Sequence, residues 1–150
     1  MTTIKDSVHD HIEVEGVGKD LLDTPVLQRL RRVKQLGTVS LVYPSANHTR
    51  FEHSLGVYHL ADRALSHLGV AGRAAERIRA AALLHDVGHG PYSHNIEDVL
   101  YRHTGKYHDD VDDLLTEGRV DEVLRDHGIT PDRVAGLVAG KGQYGQLVSG

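Results

Sequence analysis

Ala80-Ala81-Ala82-Leu83-Leu84-His85-Asp86-Val87-Gly88-His89-Gly90-Pro91-Tyr92-Ser93-His94 is the stretch on which the reading of this chain turns. Its first half closes an alanine-rich segment, 73–87, whose C-terminal half is apolar nearly all round, the pattern of a helix buried at the centre of a helical domain. Gly88, Gly90 and Pro91 then break the helix, so the backbone is shaped for a pocket. The polar pair His85-Asp86 falls where the buried helix ends, and unpartnered polar groups there are costly. His89 and His94 follow within the turn. Adjacent side chains on a helix point about 100° apart, so His85 and Asp86 alone do not enclose an ion. A further ligand must come from a neighbouring helix, and Arg50-Phe51-Glu52-His53-Ser54-Leu55-Gly56 offers His53.

Outward from that centre the signals are mostly helical. Thr24 reads as an N-cap with Pro25 at the first helical position. Val26, Leu27, Leu30 and Val33 carry an apolar stripe from there towards a stop at Gly37. A longer helix opens at Asn47 or Thr49 and runs through Phe51, Leu55, Tyr58 and Leu65 to Gly69. Beyond the central helix, further helices fit 93–103, 108–116, 119–127 and 131–139, the last behind the N-cap Thr130. Asp109, Asp110, Asp112 and Asp113 suit the positive end of a helix dipole. Alternation at 11–15 predicts one strand of a small ribbon, and the β-rich run 39–43, ending at Pro44, predicts a second short strand. The fold class is all-α with a small β-ribbon near the N-terminus. The stretch from Gly140 on is rich in glycine and shows no closing element. It reads either as a flexible tail or as a chain cut before its natural end.

Composition narrows the function. At 150 residues the chain has the size of one domain; it is 39% hydrophobic and 25% charged, ordinary for a core-forming protein. No apolar run approaches the roughly 18 residues of a membrane helix, and Met1 to Asp6 has no signal-peptide character. Zero cysteines exclude a disulfide framework, a thiolate nucleophile and a cysteine zinc site. That usage suits a reducing cytoplasm. A net charge of −4 argues against a dedicated DNA-binding module, so nucleic acid is not indicated as a partner. There are 12 histidines against 5 lysines, so imidazole and carboxylate remain as ligands for a divalent ion. A mixed N/O set suits Mn, Fe, Zn, Ni or Mg without choosing among them.

The set His53, His85, Asp86 resembles the first three metal ligands of the HD-domain metal-dependent phosphohydrolases. Longer strings are more specific: Asp23-Thr24-Pro25, Gln28-Arg29-Leu30-Arg31, Lys34-Gln35-Leu36-Gly37, Arg50 to Gly56, and the whole of His85 to His94. They look like the deoxynucleoside triphosphate triphosphohydrolase branch, which includes the bacterial dGTPases and the SAM-and-HD-domain enzyme. The resemblance runs from about Ile4 to the last residue. Cyclic-dinucleotide and alarmone hydrolases of the superfamily usually carry Lys where this chain has His89. Ser7 and Glu97 depart from the branch, which often has Pro and Asp there.

The resemblance implies an HD-domain helical bundle over 1–150 and a divalent metal on His53, His85 and Asp86. It implies hydrolysis of deoxynucleoside triphosphates to deoxynucleoside and triphosphate. His94 and Glu97 would act on the scissile ester, His108 as a further catalytic histidine, and His89 on phosphate or the metal shell. Arg50 would face the α-phosphate, and Gln35 with Leu36 would meet the sugar and reject a ribose. Arg29, Arg31 and Arg32 read as a solvated face. The family's fourth ligand, an Asp, is expected after Gly150, since 140–150 holds no acidic residue. A domain truncated on that side should bind metal weakly, be nearly inactive and associate through the uncovered face. Two other readings stay open: hydrolysis of another nucleotide or phosphoester, and a non-catalytic nucleotide-binding or regulatory module. The expected partners are a deoxynucleotide and, as a homo-oligomer, further copies of the chain.

Overall fold

A computed structural model describes residues 1–149; Gly150, the end of the glycine-rich stretch, lies outside them. Two strands open the chain, β1 (Thr2–Asp6) and β2 (Asp10–Val14), paired antiparallel from Thr2↔Val14 to Asp6↔Asp10. Nine α-helices follow among the described residues: α1 (Gly16–Leu22), α2 (Pro25–Gln28), α3 (Arg50–Leu68), α4 (Gly72–Leu84), α5 (Glu97–Thr104), α6 (Asp112–Leu115), α7 (Gly118–Asp126), α8 (Pro131–Val138) and α9 (Gln146–Ser149). The all-α expectation with one N-terminal ribbon holds.

Helix α4 is the hub. Ala80, Ala81, Ala82, Leu83 and Leu84 are all fully buried, and α1, α3, α8 and α9 pack around it. Small alanines let those neighbours approach the α4 backbone while leucines fill the remaining space. Helix α3 is started by a reciprocal cap: Thr49 Oγ1 accepts from Glu52 N at 3.3 Å, and Glu52 Oε2 accepts from Thr49 N at 2.6 Å. It stops at Gly69, in the left-handed region at φ 67°. This fixed start sets Arg50 and His53 on the first turn, facing the end of α4.

Several local expectations give way to tertiary contacts. The helix begun at Pro25 ends at Gln28, continues as a 3₁₀ turn (Arg29–Arg32), and Val33 is extended. Residues 33–35 then pair with the entrance of α3: Gln35 N donates to His48 O and Arg50 N to Val33 O, with Lys34 bridged to Thr49. The strand expected at 39–43 is not formed; Val39–Leu41 is a 3₁₀ turn with Leu41 83% exposed. A strand needs a hydrogen-bonding partner, and β1 and β2 are matched only to each other. His108 sits in the loop before α6, since helix begins only at Asp112. The tail is not merely loose: α9 buries Val148 against the core.

Candidate metal centre

His85 caps the C-terminal end of α4, and its own helix holds it. Its Nδ1 donates to the Ala82 carbonyl at 2.7 Å, one of the acceptors a helix end leaves without an intrahelical donor. With the proton on Nδ1, Nε2 carries the lone pair, the tautomer a metal ligand requires. That nitrogen faces His53 Nε2 at 3.3 Å and Asp86 Oδ1 at 3.4 Å. His53, His85 and Asp86 each present a ligand atom within 4.8 Å of the others. Two imidazoles and a carboxylate so converged fit a divalent ion.

Asp86 is also held by Arg50. The guanidinium Nη1 donates to Oδ2 at 2.7 Å, with side-chain exposures of only 3% and 7%. Arg50, expected to face phosphate, is thus the residue that orients the Asp86 carboxylate. Burial pushes the Asp86 carboxyl up, but the charges of His85 and Arg50 and the Arg50 hydrogen bond outweigh it, leaving it below its ordinary value. Burial pushes His53 down, with Asp86 opposing. His89, buried with Nε2 3.6 Å from Asp86 Oδ1, is pushed down to about 3 by burial and then by Arg50.

A second group adjoins the first. Glu97, the first residue of α5, accepts from His94 Nδ1 at 3.0 Å through Oε2, and through Oε1 from both the ring and the backbone N–H of His108. Hydrogen bonds from His108 and then His94 pull the Glu97 carboxyl down to about 2. His89 stacks on His108 at 4.3 Å between ring centroids, and His94 meets both rings edge-on. His94, Glu97 and His108 also lie close enough to share an ion.

His53, His85 and Asp86, together with His94 and His108 of the second group, line one cleft of about 520 Å³, within the range of small-ligand sites. Gln35, Arg50 and His89 line it too. Leu36 does not: it is 45% exposed and outside the lining. Sequence reasoning missed Asp109, a further carboxylate on the cleft, and the wall formed by Val138, Ala139 and Val148. It also missed that Gly88 is a contact point, since a Cβ there would lie 2.0 Å from His108 O. Arg29 is more than a solvated side chain, because Nη2 donates to Val87 O at 2.6 Å and steadies the turn after Asp86. Arg31 lies over the Phe51 ring at 3.8 Å.

The depressed histidines predict an acid-sensitive fold. Between about pH 6.5 and 3, an unfolded chain binds a proton at His89 that the folded one refuses. That contribution is therefore intact above 6.5 and is lost as pH falls towards 3, with Glu97 adding its own loss between about 4.5 and 2. In chelator, the melting temperature should fall from pH 7 to 5, and less steeply in His89→Asn. Equal slopes in the two proteins would rule out His89 as the source.

A histidine and an aspartate at the end of a buried helix, met by a histidine and an arginine from the facing helix, define a helical metal-binding domain. The HD domain family model matches residues 50–139, and the chain belongs to that family. HD domains bind divalent metals, and His53, His85 and Asp86 are the residues that would hold one here. The chain is 39% identical over 136 residues to the deoxynucleoside triphosphate triphosphohydrolase SAMHD1 homolog of Dictyostelium discoideum, covering 84% of this chain and 26% of that protein. It is 40% identical over 154 residues to uncharacterized protein YwfO of Bacillus subtilis, covering 97% of this chain and 35% of that one. A crystal structure of a hypothetical protein from Aquifex aeolicus matches with a TM-score of 0.83 at 35% identity, over 95% of this chain and 38% of that chain. The chain spans well under half the length of each. No helix among the described residues is long and apolar enough to cross a membrane.

Proposed function

We propose that this domain serves the metal-dependent hydrolysis of deoxynucleoside triphosphates to deoxynucleoside and triphosphate. The observation that carries the reading is Gln35. Its Oε1 is buried with no hydrogen-bond partner among the described residues, on the wall of the cleft that holds the metal ligands. Buried acceptors are nearly always satisfied, and a sugar hydroxyl is a donor of the right kind. A bound divalent ion polarises a phosphoryl oxygen and lowers the pKa of its water. Arg50 holds Asp86 in place and adds positive charge on the phosphate side. Glu97 stays ionised and grips Nδ1 of His94 and His108, leaving Nε2 of each as the atom that carries a proton to or from the leaving 5′ oxygen. His89, neutral near pH 7, offers a hydrogen bond without adding positive charge beside the ion.

The intact protein with Mn²⁺ or Mg²⁺ should release triphosphate from dGTP; pyrophosphate or orthophosphate as the first product would refute the reading. Gln35→Ala should narrow the preference for dGTP over GTP by about tenfold, the worth of one hydrogen bond. The exposed position of Leu36 favours a second reading, another phosphoester as substrate, under which Gln35→Ala changes little. A nucleotide-binding module without turnover is the third; dNTP binding with no product would support it. The proposal includes one HD domain over 1–150, a cytoplasmic location and self-association. Leu41, Val42 and Tyr43, 83%, 75% and 64% exposed, form the apolar patch that supports association.

A further inference from the structure

A second cleft, of about 360 Å³, lies between the N-terminal half of α4, α8 and the glycine-rich turn 140–145. Arg77, Arg133 and Lys141 line it, and no carboxylate does. Among the described residues none of these three cations forms an ion pair or a side-chain hydrogen bond. Other arginines of the chain do: Arg79 is held by Asp62 and Glu76, Arg119 by Glu122, and Arg125 by Asp121. Converged cations repel one another unless an anion sits among them. Arg77 adds a sharper sign, because its Nε is buried without a partner, and buried donors are nearly always paired.

The backbone of the turn points the same way. Tyr144, on the cleft wall, holds a positive φ of 69°, which a side-chain-bearing residue rarely adopts. Such conformations gather at ligand clamps and switch segments. The turn is closed on itself: a Cβ on Gly145 would come within 2.7 Å of the Gly140 backbone. Arginine forks and a lysine charge match the oxygens of a phosphate, while Ile78, Leu137 and Tyr144 supply an apolar flank.

We propose that this cleft binds a phosphate-chain anion, with Arg77, Arg133 and Lys141 as its contacts. It is separate from the metal centre, since Arg77 lies about 12 Å from His85 along α4. The two clefts nevertheless share a wall. Leu137 faces this one, while Val138 and Ala139, next in the chain, face the metal cleft, as does Val148 beyond the turn. An anion clamped here braces that wall.

The inference stands independently of the proposed hydrolysis, because it is tested without metal. The ¹⁵N-labelled chain in chelator at 0.15 M salt is titrated with inorganic triphosphate and, separately, with dGTP. The amides of Gly136, Gly142 and Gly145 should shift. Arg77→Gln/Arg133→Gln/Lys141→Gln should weaken that binding at least tenfold, with a melting temperature equal to or above the parent's because repulsion is relieved. Arg63→Gln/Arg102→Gln should leave the binding unchanged. If dGTP binds more tightly and Tyr144→Ala removes the excess, the site takes a nucleotide; equal binding of both probes, insensitive to Tyr144→Ala, assigns an inorganic phosphate chain. Either result supports the site. Undiminished shifts in the triple variant, or shifts confined to Gly88 and Gly90, would overturn it.

Discussion

Asp86→Ala is expected to abolish metal binding and also to destabilise the metal-free protein by about 3–5 kcal/mol, the cost of leaving one member of a buried ion pair without the other. The pair in question is Arg50 and Asp86, 2.7 Å apart and almost wholly shielded from water. Against the roughly 5–15 kcal/mol that holds a typical domain together, this is a large fraction. His85→Ala should also lose the metal, yet cost the metal-free fold only about 1 kcal/mol for its bond to the Ala82 carbonyl. Divalent metal should stabilise the parent protein and neither variant, because only a native state with its ligands binds the ion. Arg50→Met/Asp86→Leu should recover much of the metal-free stability while metal stays absent. Urea unfolding with and without chelator, together with elemental analysis, reads all four proteins. Unchanged metal stoichiometry in either single variant would sink the ligand assignment. Equal metal-free stability of the two would show that the Arg50–Asp86 pair is not what holds the end of α4.

Gly88→Ala should be the most damaging single methyl group in the chain. The added Cβ would sit 2.0 Å from His108 O and 2.9 Å from His108 C, both backbone atoms that no rotamer change moves aside. The loop carrying His108 must therefore back away from the end of α4. Overpacking of this kind costs about 1–3 kcal/mol, a fall in melting temperature of roughly 2–4 °C per kcal/mol for a chain of this size. It should also pull His108 off Glu97 and out of its stack on His89, so the His108 ring resonances should change. Gly136→Ala is the contrast: nothing lies within 4 Å of that Cβ, and the position is inside α8. There the substitution should be neutral or stabilising by up to about 1 kcal/mol. An unchanged melting temperature in Gly88→Ala would show that the loop yields freely.

The sequence alone determined whatever short-range chemistry decides. The uninterrupted apolar run 80–84 marked α4 as central, Asn47 or Thr49 and then Gly69 bracketed α3, and the breaks at Gly88, Gly90 and Pro91 placed a pocket after His85-Asp86. Residue type and motif were enough to nominate His53, His85 and Asp86, because few side chains bind metal and the strings around them are specific. What only the tertiary structure decided depends on contacts between distant parts of the chain. Residues 33–35 are extended because the His48–Arg50 segment pairs with them, overriding the helical stripe that ends at Val33. The β-rich run 39–43 makes no strand because it finds no partner. The pairing of Arg50 with Asp86, 36 positions apart, follows from how α3 crosses the end of α4. His108 reaches Glu97 from a loop because Gly88 lets that loop touch the helix end. Periodicity and capping act over a few residues; which of these groups meet is set by how the helices pack.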